Sequence, residues 1–259
     1  MHVLITTDLE GVSLVDHIDM MTRDTEGYER ARHLLTEDTN AAIEGAFAGG
    51  ATEVTVIDGH GGGNNLILEQ LDPRAKTLLS DEYCEHTFDY RFDAVLGIGF
   101  HAMAGTENAF LDHTQSSKLY FDYSINGQSY GELAQIAFMQ GFFDTPVVMV
   151  SGDVALCREA EALIPGIVTA SVKEATGRNR AICLPKEESL ARIRQAAEEG
   201  VRRYREISPL HLSLPVELSL TYCRNDYCDR FMHEGLERHG RTVKKTVEKI
   251  ENFLDLVVL

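Results

Sequence analysis

Val3-Leu4-Ile5-Thr6-Thr7-Asp8-Leu9-Glu10-Gly11 opens as a short apolar run and closes on two carboxylates. The apolar residues are consecutive, as in a parallel strand buried on both faces. The pattern recurs. Glu53 to Ile57, rich in β-branched residues, runs into Asp58-Gly59-His60, and Ala94 to Ile98 runs into Gly99-Phe100-His101. Val147 to Val150 is a fourth apolar run. Glu26 to Ala48 has helix-forming composition and is ended by Gly49-Gly50. Strands alternating with helices predict an α/β fold with a mostly parallel sheet and flanking helices. Ligands bind such sheets just beyond the carboxyl ends of the strands. The polar residues after the three runs are therefore expected to converge on one edge.

The second half continues the alternation. Gly131 to Phe143 and Glu187 to Tyr204 read as helices, Val216 to Tyr222 as a half-buried strand and Arg224 to His239 as a helix. Thr242 to Thr246 reads as a short strand before a last helix to Leu256. Ile164-Pro165-Gly166 interrupts the pattern. The chain is expected to divide into a larger α/β domain, residues 1–155, that carries the three polar strand ends, and a second, smaller α/β domain, residues 156–259.

The 259 residues carry 24 basic and 41 acidic side chains, a formal charge of −17. That balance argues against nucleic-acid binding and against docking on an anionic membrane. It suits an enzyme of small or cationic ligands. No apolar run is long enough to span a bilayer, and Met1-His2-Val3-Leu4-Ile5 has neither the basic region nor the cleavage site of a signal peptide. Five cysteines, an odd number with no C-x-x-C pair, are expected as reduced thiols in a cytoplasmic protein.

Asp8 and Glu10 lie two apart, on one side of an extended segment, with Gly11 allowing a sharp turn. Carboxylates held that close repel unless a cation lies between them. With His60 and His101 at neighbouring strand ends they form a good zinc ligand set. Glu132 sits at a predicted helix start, where it can serve as a further ligand or simply favour the helix dipole. Asp58, two residues before His60, is expected to orient an imidazole. His113, between the third strand and the Glu132 helix, is placed to act as a general acid or base.

A rival reading is a metal-free serine hydrolase. His60-Gly61-Gly62-Gly63 matches an oxyanion loop, and Gly127-Gln128-Ser129-Tyr130-Gly131 matches a nucleophile elbow with Ser129 as nucleophile. An elbow follows a buried strand, however. Tyr120 to Asn126 alternates polar and apolar residues, and Asn126-Gly127 reads as a hairpin turn. A binding protein with a structural metal is a second rival. Structural zinc sites are closed by four ligands, whereas five candidates shared by two ions leave positions open. A nucleotide-binding protein is a third, without a glycine-rich phosphate loop to support it.

Thr7-Asp8-Leu9-Glu10-Gly11, Tyr28-Glu29-Arg30-Ala31-Arg32, Thr36-Glu37-Asp38-Thr39-Asn40-Ala41, Asp58-Gly59-His60 with Asn64-Asn65, and Gly131-Glu132-Leu133 together resemble the M55 metallopeptidases. The ordered set spans roughly the first 150 residues. The resemblance implies an aminopeptidase, of D-amino-acid specificity in that family, with two zinc ions per subunit. It implies Asp8 as the bridging zinc ligand, Glu10, His60, His101 and Glu132 as the others, and His113 as the catalytic histidine. It also implies a homo-oligomer, a ring of ten subunits, acting on a small peptide or aminoacyl amide. An amidohydrolase of small non-peptide amides is the nearest alternative. The chain departs from the family pattern at Thr6, at Gly59 and in Gly61-Gly62-Gly63. These loops are where substrate preference is expected to differ.

Overall fold

A computed structural model describes residues 1–257; the final residues of the expected second domain, 258–259, lie outside it. Along the described chain the strands are β1 (His2–Thr7), β2 (Glu53–Asp58), β3 (Lys76–Leu78), β4 (Ala94–Phe100), β5 (Tyr120–Ile125) and β6 (Gln128–Ser129). They continue as β7 (Val147–Asp153), β8 (Val168–Gly177), β9 (Arg180–Cys183), β10 (Val216–Tyr222), β11 (Glu237–His239) and β12 (Thr242–Val247). The helices are α1 (Glu26–Ala48), α2 (Ser80–Glu85), α3 (Glu132–Gly141), α4 (Val154–Leu163), α5 (Lys186–Arg202), α6 (Asn225–Phe231) and α7 (Leu254–Val257).

Among the described residues, seven strands form one sheet in the order β3-β2-β1-β4-β7-β8-β9. Its neighbours are parallel except for the β8–β9 hairpin. Every residue of β4 and β7 is buried, which is why these stretches are apolar on both faces. Helix α1 starts where the Thr25 hydroxyl accepts the Tyr28 N–H and ends at Gly49, as its composition predicted. It packs on α5 and on β1, β2 and β4, while α4 packs on β7 and β8.

The chain runs from β1 outward to β2 and β3, then returns to place β4 on the other side of β1. The order reverses at that point, and a crevice opens beyond the carboxyl ends of β1 and β4.

The other five strands form an antiparallel sheet, β11-β12-β10-β5-β6, with its own core around Tyr123, Leu218, Leu220 and Tyr222. The two sheets do not part at residue 155. Strands β8 and β9 lie beyond that position yet complete the first sheet, and β5 and β6 lie before it yet belong to the second. Edge pairing, which no local composition reveals, decides the membership. The smaller unit is thus a β-sheet with short helices rather than a second α/β alternation. The helix expected over Arg224 to His239 stops at Phe231, where Met232 is extended, and Glu237–His239 becomes a strand. Gly235 and Gly240, at φ of 91° and 64°, break the helix and turn the chain back onto β12. The last helix covers only Leu254–Val257 of the described residues.

No helix among the described residues is long and apolar enough to cross a membrane. The five cysteines are free thiols, as their odd number and spacing suggested.

Candidate metal centre

The crevice gathers the polar residues that end the strands. Asp8 follows β1 directly, His101 follows β4 directly, and His60 lies two residues beyond β2. Glu132 is the first residue of α3. Asp8, Glu10, His60, His113 and Glu132 all line one cavity of about 700 Å³. Thr6, Gly59, Gly61 and Gly62 line it too, so the positions that depart from the family pattern border the site.

Asp8 sits between two imidazoles. Its Oδ1 is 3.0 Å from His60 Nδ1, and its Oδ2 is 3.2 Å from His101 Nε2. His60 Nδ1 is also 3.0 Å from Glu10 Oε2, and His101 Nε2 is 3.5 Å from Glu132 Oε1. His113 Nε2 stands 3.9 Å from both Glu10 Oε1 and Glu132 Oε1. Two groups emerge, Asp8 with Glu10 and His60, and His101 with His113 and Glu132, each with ligand atoms within 4.8 Å of one another.

Charge is concentrated and buried: Asp8, Glu10 and His101 are 4%, 5% and 2% exposed. Burial alone would raise the Asp8 carboxyl, but the imidazoles of His101 and His60 outweigh it and hold the group below the usual carboxylate range. Burial likewise disfavours a charged His60, yet Glu10 and Asp8 push its pKa up to about 11. His101 is held well above its ordinary value, against its burial, by Glu132 and Asp8. Glu132 is held at about 2, because His101 and His113 overcome its burial. The carboxylates thus demand positive charge in their midst. A metal cation meets that demand and leaves the imidazoles neutral, which is their ligating form.

Three buried atoms here, Asp8 Oδ2, Glu10 Oε2 and His101 Nε2, have no hydrogen-bond partner. Buried polar groups are otherwise almost always satisfied, and carboxylate oxygen and imidazole nitrogen are donors that zinc takes. The residues therefore fit a metal centre. His101 Nδ1 bonds the Ala102 carbonyl at 3.0 Å, which leaves Nε2 as the nitrogen able to take a metal. His113 Nδ1 bonds the Leu111 carbonyl at 2.7 Å, freeing Nε2 toward the cavity. Leu111 is itself in the left-handed region at φ 55°, a strain kept in place by its N–H bond to the Arg178 carbonyl at 2.7 Å.

Close approach of two loops builds the crevice. Gly11 N–H donates to the Gly99 carbonyl at 2.7 Å, and a Cβ on Gly11 would lie 1.8 Å from the Phe100 carbonyl oxygen. Gly11 is required for that proximity rather than for a sharp turn, since its φ is not positive. Gly99 has φ 74°, and a Cβ there would meet the Asp8 carbonyl oxygen at 2.3 Å.

Asp58 does not touch the His60 ring as expected. Its carboxylate accepts the Asn65 N–H at 2.5 Å, the Asn65 amide at 2.8 Å and the Leu66 N–H at 3.0 Å. Asn65 in turn donates to the His60 carbonyl at 2.6 Å and accepts from the Tyr28 hydroxyl. Asp58 therefore steadies the backbone of His60 through Asn65. Glu132 is aimed by a group with no local signal in the sequence: the Gln115 N–H donates to its Oε1 at 2.6 Å, with Gln115 at φ 62°.

Ser129 lies outside this site. It is exposed on β6, just past a turn in which Asn126 and Gly127 both have positive φ, the hairpin geometry read from the sequence. A nucleophile elbow is absent there, which removes the serine hydrolase reading.

A family model described as "D-aminopeptidase", that of the M55 peptidases, matches residues 1–259. A D-aminopeptidase of Bacillus subtilis (strain 168) is 32% identical over 213 residues, covering 81% of this chain and 77% of its own. The solved structure of the Zn-dependent D-aminopeptidase DppA from Bacillus subtilis, described as a self-compartmentalizing protease, superposes with a TM-score of 0.89 at 28% identity. That superposition covers 99% of this chain and 94% of the other. From its motifs, its fold and its match along the whole length, the chain belongs to the M55 family of peptidases.

Proposed function

We propose that this protein is a two-zinc aminopeptidase that removes an N-terminal residue of D configuration from short peptides or aminoacyl amides. The observation that carries the reading is the meeting of unpartnered carboxylate and imidazole atoms of Asp8, Glu10 and His101 beside the cavity at the crevice of the sheet. Asp8, with one oxygen toward each imidazole, would be shared between the two ions; Glu10 and His60 would hold one, and His101 and Glu132 the other. Zinc ions bound there supply Lewis acidity to the scissile carbonyl and lower the pKa of a water.

His113 handles the proton. Its ring stacks on that of His101, with centroids 3.9 Å apart and planes within 9°. Its Nδ1 is tied to the Leu111 carbonyl, which would leave Nε2 to take up or deliver a proton.

Exhaustive chelation is expected to reduce hydrolysis of D-aminoacyl amides and dipeptides to background, with zinc restoring it at up to two ions per chain. Metal analysis alongside parallel assays of D- and L-substrates checks this. Full activity in metal-free protein, or preference for L-substrates, would overturn the corresponding part of the reading.

The similarity to a self-compartmentalizing protease supports a homo-oligomer, for which we take a ring of ten subunits in the cytoplasm. Solution mass is expected at ten times the chain mass of 28.8 kDa. A clean monomer at micromolar concentration would contradict the ring.

A further inference from the structure

Behind the site, on β8, Lys173 is a buried ammonium, 2% exposed. It has no ion pair among the described residues. Its Nζ donates instead to two main-chain carbonyls of the loop after β1, Glu10 O at 2.6 Å and Val15 O at 2.6 Å, and lies 4.6 Å from the centre of the Phe110 ring. A buried ammonium is costly, so its retention there calls for a reason.

The reason lies in one peptide unit. The Glu10 carbonyl has Lys173 as its donor, and the N–H of the next residue, Gly11, is bonded to the Gly99 carbonyl at 2.7 Å. The Glu10–Gly11 peptide is thus held at both polar atoms by two different strands. The two bonds resist rotation of its plane and so set the backbone from which the Glu10 side chain leaves. The rest of the loop is held by Lys173 itself at the Val15 carbonyl and by Asp38 of α1, whose carboxylate takes the Ser13 N–H at 2.8 Å and the Ser13 hydroxyl at 2.6 Å.

We propose that Lys173 is a positioning residue that fixes the Glu10–Gly11 peptide and so governs the metal position formed by Glu10 with His60, leaving the His101–Glu132 position unaffected. The inference rests on the two-metal reading above. Groups that orient metal ligands commonly change metal affinity by about 10–100-fold when removed.

Stepwise zinc affinities of the metal-depleted protein, measured by competition with a chromophoric chelator, test it. Lys173→Met is expected to bind one ion as the wild type does and the second at least about tenfold more weakly. In a Glu10→Ala background the same change is expected to alter nothing further. Ser13→Ala, which loosens the loop but spares the Glu10 carbonyl, is expected to bind both ions normally. Equal weakening of both ions in Lys173→Met, or unchanged affinity for the second, overturns the proposal. Should that variant not fold, Lys173→Leu, which likewise carries no donor, is read in the same way. Failure of both to fold also overturns it, because the lysine would then serve the fold as a whole. Wild-type protein that takes up no second ion defeats the two-metal reading itself, and the proposal with it.

Discussion

Asp8→Ala is expected to leave the protein with neither zinc ion, whereas Glu10→Ala retains one. Asp8 presents Oδ1 to His60 at 3.0 Å and Oδ2 to His101 at 3.2 Å, so it belongs to both halves of the site. Its negative charge also offsets the mutual repulsion of two cations held in a buried space. Glu10 approaches His60 at 3.0 Å and lies on one side only. Loss of both ions is expected to reduce the rate by about 10⁴-fold, roughly 5.5 kcal/mol of lost transition-state stabilisation. Metal content per chain together with kcat/KM checks both statements. Near-complete occupancy in Asp8→Ala would reject the bridging role.

His113→Asn is expected to lower kcat by about 10²–10⁴-fold, the usual worth of a positioned acid or base. Asparagine keeps polarity and approximate size but cannot exchange a proton at neutral pH. The folded protein and both ions are expected to remain, because Asp8, Glu10, His60, His101 and Glu132 would already supply enough ligands for two ions. Zinc analysis and kcat on the same preparation separate the alternatives. A variant with near-normal kcat would remove His113 from the chemistry, and one that loses zinc would make it a ligand.

Much of the frame was legible in local sequence. The apolar runs before Asp8, Asp58 and Gly99 read as buried parallel strands because consecutive apolar residues suit a strand covered on both faces, and β1, β2 and β4 are such strands. Helix α1 was bounded by its composition and by Gly49. Asp8, His60 and His101 met because polar residues at the carboxyl ends of neighbouring parallel strands share one edge. Glu132 and His113 were read from their places at and before the α3 start, the family resemblance gave each an expected role, and both line the same cavity.

What sequence could not determine depends on partners far away along the chain. Asp58 was close to His60 in sequence, but its carboxylate was drawn to three N–H groups of Asn65 and Leu66 instead. The stretch from Arg224 to His239 had helical composition, yet pairing of Glu237–His239 with β12 made its end a strand. The sheets divided by edge pairing and not at residue 155. Lys173 reaches the Glu10 carbonyl across 163 residues, and only the β1-β4-β7-β8 order brings them together. Local periodicity and strand ends are written in neighbouring side chains, so the sequence by itself determined the strands, the long helix and the edge where the carboxylates and imidazoles gather. Which buried donor meets which buried acceptor is settled by strand order and packing, and that belonged to the tertiary structure alone.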